Sequence, residues 1–211
     1  PLKIVDHGCG NAYLTFATHQ YLINKGIPVH VTGIDVREQA RERNSQIAKK
    51  LGIEKSIEFK AEEIARVGGS HVDIAIALHA CDTATDDAIA WAVKSNAGLV
   101  LVAPCCQHDL QSKLKEIPEP WPLVTKHGIL KERLADILTD SIRAQILKLL
   151  GYRTDVIEFI GGEHTPKNLL IRGVKTEAKP EQIEIVRYQE MLKELEVVPA
   201  LAERLGDGFT F

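Results

Sequence analysis

The sequence predicts an α/β fold: a seven-stranded, mostly parallel sheet with an antiparallel last strand and helices on both faces. Three observations lead there. Short apolar runs alternate with helical patterns along the chain, the mark of repeated βαβ units. Two runs, Val72 to Leu78 and Leu99 to Ala103, are continuously apolar, as parallel strands covered on both faces must be. The last two runs are joined only by the short connector Gly161-Gly162-Glu163-His164-Thr165-Pro166, which suits a hairpin rather than a crossover.

Leu2 to Val5 is the first strand, and Tyr13 to Asn24 reads as the helix that follows it. Lys25-Gly26-Ile27-Pro28 stops that helix and leads into a second strand, Val29 to Ile34. Glu38 to Leu51 is a Lys- and Arg-rich helix ended by Gly52, and Ser56 to Lys60 alternates weakly, as an outer strand would. After the fourth strand, Thr85 to Lys94 is a helix with Asp86 and Asp87 in its first turn, favourable for its dipole. The fifth strand gives way to a polar, Pro-interrupted stretch, Gln107 to Pro122, read as part of an irregular insertion over about 107–128. Ile129 to Leu150 is amphipathic, with Leu130, Leu134, Ile137, Leu138, Ile142 and Ile146 on one face. On the opposite, polar side Asp136, Asp140 and Arg143 read as a solvated trio with an ion pair. Asp155 to Ile160 and Asn168 to Val174 complete the sheet, so residues 1–175 form one domain and residues 176–211 a charged helical tail.

The composition fits this plan. Its 211 residues can bury a full core, with 45% apolar and 26% charged residues. No apolar run approaches membrane-spanning length, and the first residues lack the pattern of a secretory signal, so a cytoplasmic protein with reduced thiols at Cys9, Cys81, Cys105 and Cys106 is expected. The net charge of −3 does not advertise a nucleic-acid binder, although a basic face can coexist with such a total. A strand starts almost at Pro1, which raises the expectation of a preceding region that carries substrate-binding parts.

The turn after the first strand carries the clearest chemistry. In Asp6-His7-Gly8-Cys9-Gly10 two glycines let the backbone bend sharply and approach a ligand where a Cβ would clash. A dinucleotide fingerprint usually has a third glycine near position 13, where this chain has Tyr13. S-Adenosylmethionine has no phosphate, and a two-glycine turn is enough for it. Asp6 is placed to accept from the ligand's ammonium, directly or through water. Asp35, ending the second strand, is placed to accept both ribose hydroxyls, and Glu63 is a candidate for the adenine amino group or else a solvated loop acid. The candidate cofactor set is Asp6, Gly8, Cys9, Gly10, Tyr13, Asp35, Glu63 and His79 on a Rossmann-like sheet. A hairpin as the last pair of strands matches class I methyltransferases better than dehydrogenases, an argument of fold alone.

At these residues the chain resembles a family. Asp6 to Phe16 resembles the DxGCGxxYLTF signature of methyltransferases whose eukaryotic members are labelled ribosomal RNA adenine dimethylase domain-containing. Leu78-His79-Ala80-Cys81-Asp82-Thr83-Ala84-Thr85-Asp86, Pro104-Cys105-Cys106-Gln107-His108 and Glu163 to Asn168 are similar to further segments of that family. Two departures flank the turn: His7 stands where Phe is expected, and Asn11-Ala12 where Lys-Ser is usual. The pattern His-x-Cys-x-x-x-Thr-Asp from His79 and Cys-Cys-x-His from Cys105 is also similar to segments of eukaryotic tRNA ribose 2′-O-methyltransferases. These resemblances imply an S-adenosylmethionine-dependent enzyme with RNA as substrate. An Asn-Pro-Pro-Tyr type sequence, which amino-methylating enzymes place after the fourth strand, is replaced here by His79-Ala80-Cys81-Asp82.

All four cysteines, with His79, Asp82, Gln107 and His108, fall at the ends of the first, fourth and fifth strands, where such folds bind ligands. Three readings compete. His79 or His108 serves as general base with Asp82 orienting it; or Cys81, Cys105, Cys106 and a histidine hold zinc; or the cysteines are small buried hydrophobes at strand ends. The spacing is not that of an established zinc module, so no metal is assigned, and His79, Asp82, Cys105 and His108 form the candidate catalytic set. His164, Lys167 and Asn168, before the final strand, are candidates to touch substrate; the helix from Arg37 to Lys50 could touch phosphates, but a solvated helix explains it better.

Overall fold

A computed structural model describes residues 1–64, 71–78, 80–114, 117–161, 168–176 and 178–211. Its seven strands follow the order β3-β2-β1-β4-β5-β7-β6. Two compact units divide the chain, one of Pro1–Ala80 with Asp87–Ala103, the other of Cys81–Asp86 with Pro104–Phe211.

The first unit holds β1 (Leu2–His7), α1 (Tyr13–Asn24), β2 (Val29–Asp35), α2 (Glu38–Leu51), β3 (Ile57–Ala61), β4 (Ile74–Ala77), most of α3 (Thr83–Lys94) and β5 (Leu99–Val102). All its strand pairs are parallel, with Asp6 beside Gly33 and Ile76, and Ile34 beside Lys60. Ile4, Val29, Val31, Ile57, Phe59 and Ile76 fill the core. β2 runs so close to β3 that a Cβ on Gly33 would sit 2.6 Å from the Phe59 ring, so only glycine fits there. α2 buries Ala40, Asn44 and Ala48, one face at helical spacing, and Gly52 ends it in the left-handed conformation, φ 68°. Both helices have the bounds that periodicity and the Gly and Pro stops predict.

The second unit holds α4 (His108–Lys113), α5 (Pro122–Thr125), α6 (Gly128–Leu149), β6 (Tyr152–Glu158), β7 (Leu169–Lys175), α7 (Gln182–Leu195) and α8 (Ala200–Leu205). β6 and β7 pair antiparallel, Tyr152 opposite Lys175, as the short connector requires. The tail helices are packed: Gln145 Nε2 on α6 donates to Glu184 Oε2 on α7 (3.0 Å), and Tyr188 and Leu201 are buried.

Two expectations need correction. The stretch after β5 is not wholly irregular, because α4 forms there. Leu110 and Leu114 are buried at i, i+4, Lys113 bridges back to Asp109 at 2.9 Å, and the Asp82 carboxylate accepts from the Asp109 N–H at 3.1 Å. On α6 the buried face is Ala135, Ile142, Ile146, Leu147 and Leu149, while Leu130 and Ile137 are exposed. Asp140 and Arg143, expected on a solvated face, are buried instead. Arg143 is only 1% exposed, and fixed partners for its guanidinium make that burial tolerable.

Candidate functional site

The turn after β1 winds through positive φ at Gly8 (70°), Gly10 (54°) and Ala12 (59°). The Cys9 N–H donates to the Ile34 carbonyl (3.0 Å) and the Ala12 N–H to the Cys9 carbonyl (2.7 Å), which closes the loop tightly before α1. Asn44 on α2 donates from Nδ2 to the Gly10 carbonyl at 2.9 Å, tying the turn to the next crossover. A Cβ on Gly10 would meet the Arg37 guanidinium at 3.4 Å.

Asp6 is buried, and its Oδ2 accepts from the Thr15 hydroxyl at 2.6 Å. Burial pushes its carboxyl up to about 6, with the Thr15 bond opposing. Asp35, at the end of β2, accepts the Gly10 N–H on Oδ2 (2.9 Å) and the Arg37 N–H on Oδ1 (3.0 Å). The Arg37 guanidinium also donates to both of its oxygens, at 2.9 and 3.1 Å. Burial alone would raise the Asp35 carboxyl, but these donors outweigh it and hold the group below its ordinary value. The carboxylate is therefore ionised and rigidly aimed, with the exposed Arg37 side chain on both of its oxygens. The Glu62 N–H donates to the Asp35 carbonyl (3.1 Å), so the exposed Glu63 lies beside the same strand end. Tyr13, the first residue of α1, is 80% exposed.

His7 and Cys9 flank Gly8 and pack inward. Cys9 packs against the core cluster, and burial, together with the Asp6 and Asp35 charges, lifts its thiol to about 12. His7 is buried edge-on to Trp91, ring centroids 4.6 Å apart, and among the described residues neither of its nitrogens has a hydrogen-bond partner. Burial depresses its imidazole to about 3, so the ring is neutral.

The second unit gathers the other candidates. The Sγ atoms of Cys81 and Cys105 are 3.2 Å apart, and those of Cys105 and Cys106 3.4 Å. Burial and then the two neighbouring thiols raise the Cys105 thiol to about 12, so it is protonated at neutral pH and is no thiolate base. Asp82, in the left-handed region at φ 51°, spends one oxygen on capping α4, and its backbone carbonyl accepts from Arg143 Nη2 at 2.9 Å. His108 is exposed at the start of α4. His79, His164 and Lys167 lie outside the described residues. Asn168 donates from Nδ2 to Glu158 Oε1 and to the Ile160 carbonyl, each at 2.7 Å.

Sequence reasoning missed a buried network behind these residues. Arg143 donates to both oxygens of Asp86 (2.9 and 2.7 Å) and to Asp140 Oδ1 (3.2 Å), while Gln107 Nε2 donates to Asp140 Oδ2 (2.8 Å). Burial keeps the Asp140 carboxyl above its ordinary value despite Arg143 and Gln107. The network braces the residues after β5 against α6 and the start of α3. Beside it, Pro104, Gln107, Glu132, Asp136, Asp140 and Asn168 line part of an open cavity of about 520 Å³. The available signal was the pairing of Asp140 and Arg143 on one helix with Asp86 opening another.

No curated protein matches the sequence. Solved structures do match its fold. Geranyl diphosphate C-methyltransferase from Streptomyces coelicolor A3(2) is 11% identical with a TM-score of 0.52, over 83% of this chain and 71% of that one. The CMeT domain of the citrinin polyketide synthase is 17% identical with a TM-score of 0.53, over 84% of this chain and 47% of that one. Magnesium protoporphyrin IX methyltransferase from Synechocystis PCC 6803 is 16% identical with a TM-score of 0.50, over 83% and 74%. At such identities the likeness is one of fold, that of the class I S-adenosylmethionine-dependent methyltransferases. A family model described as a methyltransferase domain matches residues 1–113, more than half of the chain, and the chain belongs to that methyltransferase-domain family.

Proposed function

We propose that this protein binds S-adenosylmethionine and transfers its methyl group to RNA. The observation that carries the cofactor assignment is the positive-φ Gly8–Gly10 turn with the Asp35 carboxylate hydrogen-bonded to the Gly10 N–H. The fit is chemical as well as steric. Asp6 is a buried carboxylate with a raised pKa, which an ammonium would neutralise, and Asp35 is a fixed ionised acceptor for two hydroxyls. Asp35 would hold the ribose once the Arg37 guanidinium turns away, Asp6 the ammonium, and Glu63 the adenine amino group. The bound cofactor supplies an electrophilic methyl on a sulfonium.

The protein's own task is then to desolvate and align the acceptor, since direct displacement depends on collinear approach more than on a strong base. Asp82 holds α4, and with it His108, in place. His79, Cys105 and His108 are the residues proposed to meet the acceptor.

The RNA assignment, as tRNA ribose or rRNA base, rests on the similarity of the His79–Asp86 and Cys105–His108 segments to RNA-methylating families. A second reading is a protein or small-molecule acceptor, favoured by a cavity lining in which Glu132, Asp136 and Asp140 outnumber the one base, Arg133. The chain is incubated with methyl-labelled cofactor and separate RNA, protein and metabolite fractions. Label in RNA is expected; label only in another fraction supports the second reading, and bound cofactor with no label anywhere indicates a non-catalytic scaffold.

A further inference from the structure

We infer that Cys81, Cys105 and Cys106 form a thiolate site for a zinc ion. The three sulfurs come from two places in the chain, one at the turn before α3 and two just after β5, and all lie within 4.8 Å of one another. A tetrahedral zinc with Zn–S bonds of about 2.3 Å holds its sulfurs about 3.8 Å apart, so the cluster spans the required separation with small side-chain adjustments. Spacing along the chain had argued against a metal, but that argument concerns ligands delivered by one hairpin. Here the ligands are delivered by tertiary structure.

The surroundings favour occupation. Packed as thiols, the three sulfurs offer each other only weak hydrogen bonds, across separations of 3.2 and 3.4 Å. A divalent soft cation changes that balance, because thiolate is its preferred ligand. Cys81 is exposed, so the ion has an entry path and its fourth position is open to water. Binding displaces one proton from each thiol, forming three Zn–S bonds and releasing three protons with no change in redox state. The ion would staple the turn before α3 to the loop after β5, the two segments that the Asp82 contact with Asp109 also joins. This inference does not rest on the methyltransferase reading.

The test uses the whole chain, reduced and stripped of metal. Zinc is titrated against a chromophoric chelator, and cobalt is substituted to read coordination from its spectrum. One zinc per chain is expected, with proton release on binding and with thiolate charge-transfer and tetrahedral ligand-field bands for cobalt. Cys105→Ser should lose the binding and the bands, and Cys81→Ser, at an exposed position that spares the fold, should lose them too. Cys9→Ser, outside the cluster, should keep them. Reduced protein that binds no zinc overturns the inference, as does zinc binding unchanged in both Cys81→Ser and Cys105→Ser.

Discussion

Replacing His7 with phenylalanine should stabilise the protein, and increasingly so as the pH falls. His7 is 1% exposed with both ring nitrogens unpartnered among the described residues. A buried polar group without a partner costs about 1–3 kcal/mol, and phenylalanine removes that cost while it keeps the edge-on contact with Trp91. The pH dependence follows from proton linkage. The imidazole titrates at about 3 in the folded chain against an ordinary 6.5, so below 6.5 the unfolded state takes up a proton that the folded state does not. Stability from this group is whole above that value and is lost as pH falls toward 3, by about 1.4 kcal/mol per pH unit. At pH 5 the gap between His7→Phe and the wild type should exceed its value at pH 8 by about 2 kcal/mol. Neighbouring Asp6 acts in the opposite sense. Its folded pKa, about 6, lies above the ordinary 3.8, so its penalty is relieved as pH drops through that window. Comparing the two proteins cancels that contribution. Urea unfolding at pH 5 and pH 8 measures both quantities. A variant no more stable than wild type, with a pH-independent gap, would show that the imidazole is solvated or paired and would refute the reasoning.

Arg143→Met should cost about 3–5 kcal/mol in the same assay, because it strands the buried Asp86 and Asp140 carboxylates; adding Asp86→Asn and Asp140→Asn should recover much of the loss. Asp35→Ala should weaken S-adenosylmethionine binding by about 1–3 kcal/mol in calorimetry. Arg37→Ala should strengthen it, since the guanidinium no longer competes for the Asp35 oxygens, and a weaker complex would mean that Arg37 itself holds the ligand. Gly10→Val should abolish binding without unfolding the chain, as judged by circular dichroism, because a β-branched residue is strained at φ 54° and its side chain would fill the space through which the ligand approaches the turn.

What was legible in the sequence follows from what is local. Tyr13–Asn24 and Glu38–Leu51 carry their own stop signals in Lys25-Gly26 and Gly52, and the helices end there. The turn at Gly8–Gly10 and the acid at Asp35 are likewise set within a few residues of a strand end. α4 was not legible, because its cap comes from Asp82, 27 residues earlier. The burial of Arg143 was hidden for the same reason: its principal partner, Asp86, is 57 residues away, and on α6 alone the charges look like an ordinary wet face. The cysteines were partly legible. Their clustering at strand ends could be read from the chain, whereas the 3.2 Å approach of Cys81 to Cys105 arises only when the two turns are folded together.

The central claim, that the Gly8–Gly10 turn and Asp35 form a methyl-donor site, is tested most directly by calorimetry of the isolated chain with S-adenosylmethionine, S-adenosylhomocysteine and NAD. The account predicts that both sulfur nucleosides bind and NAD does not. Binding of NAD alone would contradict it.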